Sequence, residues 1–332
     1  MTSPIIKVAV VQAAPVLFDT PATIERLVRL ADEAAAGGAA LVVFPEAYIG
    51  GYPKGLDFGA RLGTRTPEGR EDFRRYFESA IDIPGPEVVA LAEVAKRHGI
   101  HLVVGVIERD GGTLYCTALT FDPNGRILAR HRKLMPTALE RLVWGFGDGS
   151  TLGVAESTIG RIGSVICWEN YMPLLRTAMY AQGVEFYCAP TVDDRDTWLP
   201  TMRTIALEGR CFVLSACQFL TQADYPSEYH ATISENPVLI RGGSCIIDPL
   251  GNILAEPVFG EQVILFAELD RRAIARGKYD LDVVGHYARP DIFRLHVDTQ
   301  PQTPVTFDNP SSSGLSIGRL EHPKGDGQSC SD

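Results

Sequence analysis

Three side chains stand where chemistry is most often done, at the ends of expected strands, and a fourth follows close behind. Cys167 follows Ile162-Gly163-Ser164-Val165-Ile166 and precedes Trp168-Glu169-Asn170, with a helix expected to begin near Met172-Pro173. A thiol at a strand end that faces a helix N-terminus feels partial positive charge, which lowers its pKa and makes it a candidate nucleophile. Glu46 follows Leu41-Val42-Val43-Phe44-Pro45, so its carboxylate falls on the strand-end rim where α/β sites form. Lys133 closes the outgoing strand of a hairpin in His131-Arg132-Lys133-Leu134-Met135-Pro136, and Glu140 follows seven residues later. Each alone has a plainer explanation: a core cysteine, a helix-capping carboxylate, a solvated lysine, an acid paired with Arg141.

The elements that must position these residues alternate along the chain. Strands are expected at Ile6–Gln12, Ala40–Pro45, His101–Glu108, Arg161–Cys167, Val184–Ala189 and Cys211–Cys217. Helices are expected at Pro21–Ala36, Pro86–His98, Pro173–Gln182 and Leu199–Glu208, with Gly37, Gly99, Gly183 and Gly209 as C-terminal caps. Two hairpins, Leu114–Phe121 with Ile127–His131 and Ser244–Ile247 with Ile253–Ala255, turn at Asp122–Gly125 and Asp248–Asn252. Helices plus antiparallel hairpins predict an α/β fold with mixed sheets. Gly50–Arg75 and Thr221–Gly243 read as insertions, and the Ser/Pro/Gly-rich stretch from Thr299 onward as a disordered tail.

Composition narrows the function classes. Acidic residues number 41 against 31 basic ones, a net charge of −10 among 332 residues, which disfavours a general nucleic-acid binder. No apolar run approaches the ~20 residues of a membrane span, and MTSPIIKVAVVQAAPV lacks a secretory pattern. The seven cysteines are odd in number, form no C-x-x-C and lie mostly in apolar runs, as expected of reduced thiols in a cytoplasmic protein. Seven scattered histidines carry no zinc spacing, and no metal or organic cofactor is implied. Three motif matches lack their context. Asp57-Phe58-Gly59 has no kinase partners, Gly314–Gly318 has no preceding strand, and Gly145, Gly147 and Gly149 do not join a strand to a helix.

Taken together and in order, V-F-P-E, H-R-K-L-x-P-T-x-x-E-R and C-W-E-N are specific. The chain resembles the nitrilases of the carbon–nitrogen hydrolase superfamily from about Ile6 to Val297. The resemblance includes Arg141–Ser150, Met172–Tyr180 and Val283–Pro290. Within that family it looks closest to plant-type nitrilases, including those acting on β-cyanoalanine, and their bacterial relatives. The resemblance implies an α-β-β-α sandwich as a single domain over residues 1–298. It also implies a catalytic Glu46–Lys133–Cys167 set, with Glu140 as an accessory carboxylate. The implied reaction takes a small nitrile to its carboxylic acid and ammonia through a thioimidate and a thioester on Cys167, with the amide as by-product if sulfur leaves first. Self-association into dimers and longer spirals or filaments is implied as well, with Thr221–Gly243 as a candidate interface.

Substrate choice rests on weaker signals. Tyr52, Phe58, Trp144, Trp168, Thr191 and Trp198 are candidate pocket residues, although aromatics more often serve packing. The charged run Asp193–Asp196 could recognise an amino-acid nitrile. Amidases and carbamoylases of the same superfamily are the competing reading, followed by a Cys–His hydrolase and a non-enzymatic assembly protein.

Overall fold

The computed structural model describes residues 4–303 and 305, save the side chains of 231 and 232. In chain order the strands are β1 (Ile5–Gln12), β2 (Leu41–Val43), β3 (Ile81–Asp82), β4 (His101–Asp110), β5 (Thr113–Phe121), β6 (Ile127–Arg132), β7 (Val154–Ser157), β8 (Gly160–Ser164), β9 (Phe186–Cys188), β10 (Phe212–Ser215), β11 (Phe219–Thr221), β12 (Val238–Arg241), β13 (Cys245–Ile247), β14 (Ile253–Ala255) and β15 (Val263–Asp270). The helices are α1 (Thr20–Ala36), α2 (Pro67–Ser79), α3 (Pro86–His98), α4 (Glu140–Val143), α5 (Pro173–Ala181), α6 (Trp198–Gly209), α7 (His230–Ile233) and α8 (Arg272–Gly277).

Among the described residues, one sheet runs β15-β1-β2-β4-β5-β6, with β3 paired to β4, and a second runs β14-β13-β10-β9-β8-β7. Both are mixed: β1, β2 and β4 are parallel, whereas β15, β5 and β6 join antiparallel. The period-2 alternation of side chains decides what each face meets. Ile6, Val8 and Val10 of β1 pack with Phe186, Phe212 and Leu214 of the other sheet. Ala9 and Val11, pointing the opposite way, pack with Leu27 and Ala31 of α1 and Leu91 and Val94 of α3. On the far side Val213 and Tyr187 meet Met179 of α5 and Met202 and Ile205 of α6. The result is an α-β-β-α sandwich whose two sheets share an apolar core.

The predicted strands and helices are present: β1, β4, β5, β6, α1 and α6 run one or two residues past the expected bounds, whereas β2, β9, β10, β13 and α5 are shorter. The strand expected to reach Cys167 ends at Ser164, and Cys167 instead opens a short 3-10 turn over Cys167–Tyr171. Gly99 and Gly183 cap with left-handed backbone, but Gly209 lies inside α6 and Arg210 takes that role (φ 47°). Gly37 keeps ordinary helical backbone, φ −70°.

The two expected insertions are not peripheral. The first runs into α2, which continues past its expected end to Ser79; the Thr66 hydroxyl caps Gly69 N, and Phe73, Tyr76 and Phe77 face inward. The second forms the β11–β12 ribbon and buries Tyr225, Tyr229 and Ile233. The two segments lock together through Tyr225 Oη to the Lys54 carbonyl (2.9 Å), Tyr229 Oη to Asp72 (2.8 Å) and Arg75 to Glu228 (3.1 Å). Tyr225, Tyr229 and Ile233 of the segment expected as an interface between copies are thus buried within their own chain, whereas Ser227, Glu228, Glu235, Asn236 and Pro237 are exposed. The chain divides into a compact unit, Met1–Pro301, and a second, Gln302–Asp332. The expected disordered tail lies outside the described residues from 306 onward.

Candidate active site

Glu46, Lys133 and Cys167 all lie just beyond strand C-termini, after β2, β6 and β8. They meet at one end of the sandwich, where open α/β sheets place their sites. Lys133 Nζ donates to Glu46 Oε1 at 2.6 Å and to Glu140 Oε2 at 2.8 Å, with the Lys133 and Glu46 side chains wholly buried. Glu140 is held by Thr137 N (2.6 Å) on Oε2 and by the Tyr52 hydroxyl (2.8 Å) on Oε1. Glu46 is fixed from behind. Gln218 Nε2 donates to its backbone carbonyl at 2.7 Å, and the buried Cys116 thiol lies 3.6 Å from Oε1. Glu46 Oε2 has no hydrogen-bond partner among the described residues.

The backbone around these groups is forced. Cys167 adopts left-handed backbone at φ 50°, as do Ala47, next to Glu46 (φ 49°), and Ala138, two before Glu140 (φ 48°). Such conformations cost about 1–3 kcal/mol each in residues with a Cβ and cluster at functional sites. Cys167 N is tied to the Pro190 carbonyl at 2.9 Å, which orients the turn.

Electrostatics follow from burial. Burial opposes the Lys133 ammonium, but Glu46, Cys167 and Glu140 outweigh it and hold its pKa well above the ordinary lysine value. Burial raises the Glu46 pKa, Lys133 opposes the rise and Glu140 adds to it, for a net increase. The Cys167 thiol is also raised, by burial first and then by the Glu46 charge, with Lys133 and a hydrogen bond from Thr191 pulling it back. The expected lowering by a helix N-terminus is therefore overturned. Cys167 is buried beside a carboxylate at the cavity wall, and desolvation of a thiolate dominates.

The proposed pocket residues divide. A cavity of about 210 Å³ is lined by Tyr52, Lys54, Thr137, Glu140, Cys167, Trp168, Val192, Asp193, Asp194 and Arg195. Tyr52 and Trp168 thus face it, and Thr191 reaches Cys167. Trp144 backs the site, with its ring centroid 5.5 Å from Lys133 Nζ and its Nε1 donating to Tyr76 Oη. Phe58 packs instead on Phe73 and Tyr76, away from the cavity lining. Trp198 donates to Ser215 Oγ and lines a neighbouring cavity of about 170 Å³ beyond the 193–196 loop. At the rim, Trp168 Nε1 donates to Asp193 Oδ2 at 2.8 Å, and the Arg195 guanidinium lies 4.6 Å from the Trp168 ring centroid.

The carbon–nitrogen hydrolase family model matches residues 7–279. An aliphatic nitrilase of Sinorhizobium fredii (strain HH103) is 58% identical over 301 residues, covering 90% of this chain and 97% of its own. The chain belongs to the nitrilase family of carbon–nitrogen hydrolases.

A bifunctional nitrilase/nitrile hydratase of Lupinus angustifolius is 55% identical over 317 residues, covering 93% of this chain and 91% of its own. The same fold is seen in the crystal structure of the C. elegans NitFhit protein. That structure matches with a TM-score of 0.72 at 20% identity, over 92% of this chain and 70% of that one. Cys116 and Gln218, the residues that hold Glu46, are not evident from the sequence. Both come from strands or strand ends remote in sequence, and only Gln218's place after the Cys211–Cys217 run was a usable signal.

Proposed function

We propose that this nitrilase takes a small organic nitrile to its carboxylic acid and ammonia, with Cys167 as nucleophile, Glu46 as base and Lys133 as proton donor. The observation that carries the assignment is the buried ammonium of Lys133, bridged between two carboxylates beside a buried thiol that lines the cavity. Glu46 Oε2 is free to accept the Cys167 proton as sulfur adds to the nitrile carbon. Charge then develops on the former nitrile nitrogen. Two of the three Lys133 ammonium hydrogens go to Glu46 and Glu140 among the described residues, which leaves one for that nitrogen. Glu46 next activates water, ammonia leaves to give a thioester, and a second water releases the acid. Glu140, held by Tyr52 and Thr137, keeps the ammonium aimed.

The cavity volume favours a short nitrile. Lys54, Arg195, Asp193 and Asp194 around it favour one with a charged or zwitterionic end, such as an amino-acid nitrile. The names of two relatives, one an aliphatic nitrilase and one bifunctional, support a short-chain substrate and some amide product. The test is ammonia release from β-cyanoalanine, an arylacetonitrile, a short aliphatic nitrile and the matching amides, with Cys167→Ala as control. Nitrile turnover abolished in the folded control is the expected result; turnover of amides alone would overturn the nitrile reading. A preference for the arylacetonitrile would overturn the charged-substrate reading.

Self-association and a reducing, cytoplasmic setting belong to the same proposal. Tyr171, Met172 and Leu174 are exposed apolar side chains on one short stretch, which supports association there. The six described cysteines are buried and unpaired, and no described helix is long and apolar enough to cross a membrane. Light scattering of Leu174→Glu should give a smaller particle than the wild type; an unchanged size would reject that surface.

A further inference from the structure

Two buried residues outside the reacting set join the Lys133 segment to the Cys167 segment. Glu169 lies two positions after Cys167, and His131 two before Lys133. Glu169 Oε1 accepts from Leu134 N at 2.7 Å, and Oε2 accepts from Ile166 N at 2.8 Å. One carboxylate therefore clasps the peptide just after Lys133 and the amide of Ile166, the residue before Cys167. His131 Nε2 completes it, 3.2 and 3.0 Å from the two oxygens. The other ring nitrogen, Nδ1, lies 3.2 Å from the Thr151 carbonyl, which can only accept, so Nδ1 carries a hydrogen. Burial works against a charged ring here, but Glu169 and Thr151 outweigh it and raise the His131 pKa. The pair spans the two sheets, since His131 is on β6 and Glu169 follows β8.

We propose that Glu169, with His131, is a positioning pair that fixes Lys133 relative to the carbon bonded to Cys167, and so sets how much product leaves as acid rather than amide. This rests on the nitrile reading above. Water addition to the thioimidate gives a tetrahedral carbon bearing OH, NH2 and the Cys167 sulfur. For acid, Lys133 protonates the nitrogen, and the C–N bond breaks with its electron pair leaving on ammonia. The hydroxyl proton passes to the Lys133 amine as C=O forms, and the thioester remains. For amide, the C–S bond breaks with its electron pair on sulfur, and the hydroxyl proton passes to Glu46. Only the first branch needs an acid at the nitrogen, so a displaced Lys133 slows ammonia departure and leaves thiolate departure favoured.

The test is Glu169→Gln, close in shape but able to accept only at one oxygen. The partner test is His131→Gln, which keeps both backbone bonds to Glu169. Acid, amide and ammonia are quantified together, with thermal unfolding and thiol alkylation to count folded sites. In Glu169→Gln, kcat should fall about tenfold with KM within about threefold, and the amide share should rise several-fold. His131→Gln should move the share the same way by less. A kcat loss with the wild-type acid-to-amide ratio would mean a merely structural role and would overturn the proposal. If Glu169→Gln does not fold, the His131→Gln ratio decides in the same terms. Wild-type protein that releases no ammonia from nitriles would instead sink the nitrile reading.

Discussion

A single methyl group at Gly105 tests whether the placement of Glu46 controls turnover. Gly105 lies in β4 directly against the Glu46 turn. A Cβ there would come within 2.3 Å of the Pro45 carbonyl oxygen, 2.6 Å of Ala47 N and 2.7 Å of Glu46 Cα. All three contacts are backbone, so no side chain can swing aside. Reaching even 3.0 Å from the Pro45 oxygen requires the turn to move about 0.7 Å. That movement strains the bonds that seat the turn, Gly105 N to Pro45 O (3.1 Å) and Tyr48 N to Gly105 O (2.8 Å). Overpacking of this kind costs about 1–3 kcal/mol of stability. The same movement lengthens the 2.6 Å contact between Lys133 Nζ and Glu46 Oε1 to as much as about 3.3 Å. A displacement near 1 Å costs on the order of 100-fold in rate, so Gly105→Ala is expected to lower kcat by about 30- to 100-fold. The assay is steady-state ammonia release, run beside a thermal scan and alkylation of Cys167 to count competent sites. A folded variant with kcat within about threefold of wild type would refute the reasoning.

Three further outcomes follow from the site. Tyr52→Phe removes the 2.8 Å hydrogen bond to Glu140 while Thr137 N and Lys133 still hold that carboxylate, so kcat should fall by about tenfold, as measured by ammonia release with folding checked by circular dichroism. The acid limb of kcat/KM should have its midpoint above 4.5, because the Glu46 pKa is raised and activity needs it ionised; a midpoint at or below 4.5 in a pH–rate series would contradict the assignment. Lys133→Ala leaves two carboxylates facing each other without their cation, and breaking such a buried pair costs about 3–5 kcal/mol. In that variant the Glu46 pKa rises further in the folded state, so its contribution is favourable at low pH and is lost as pH rises through the folded pKa. Melting temperatures of variant and wild type should therefore converge as pH falls, and a pH-independent gap would argue against the charge account.

The reacting set was legible because Glu46 and Cys167 end apolar runs, Lys133 closes a hairpin strand, and the three motif blocks occur in a specific order. Strand ends are readable from sequence, and three of them converge here. The contacts that hold the set were not legible. Glu46 is seated by Gly105, Cys116 and Gln218, which lie 59, 70 and 172 positions away, and no local pattern says that these will touch it. Glu169 was visible only as a letter in C-W-E-N; its grip on Leu134 N depends on how two sheets stack. Helix α2 was missed for a different reason. Its turn-rich surroundings and many charges masked the Thr66-Pro67-Glu68 start and the Phe73, Tyr76, Phe77 stripe, both of which are local signals. The Cys167 pKa was misjudged because sequence reveals a nearby helix start but not the depth of burial.

A raised thiol pKa looks ill suited to a nucleophile, yet the charge count of the site requires it. Glu46 and Glu140 share one ammonium, so a resting thiolate would place a third negative charge in a space with a single cation. The proton is better kept on sulfur until the nitrile arrives. Transfer to Glu46 Oε2 then moves negative charge from carboxylate to sulfur and, as the C–S bond forms, onward to nitrogen. At each stage the total charge within reach of Lys133 is the same, and only its location changes. A preorganised cation that need not move is most effective under that condition, since the protein pays no reorganisation as the charge shifts. The buried Lys133 between two carboxylates is thus matched to a protonated resting thiol. A variant that lowered the Cys167 pKa by removing Glu46 would gain thiolate and lose the base that the later water steps need.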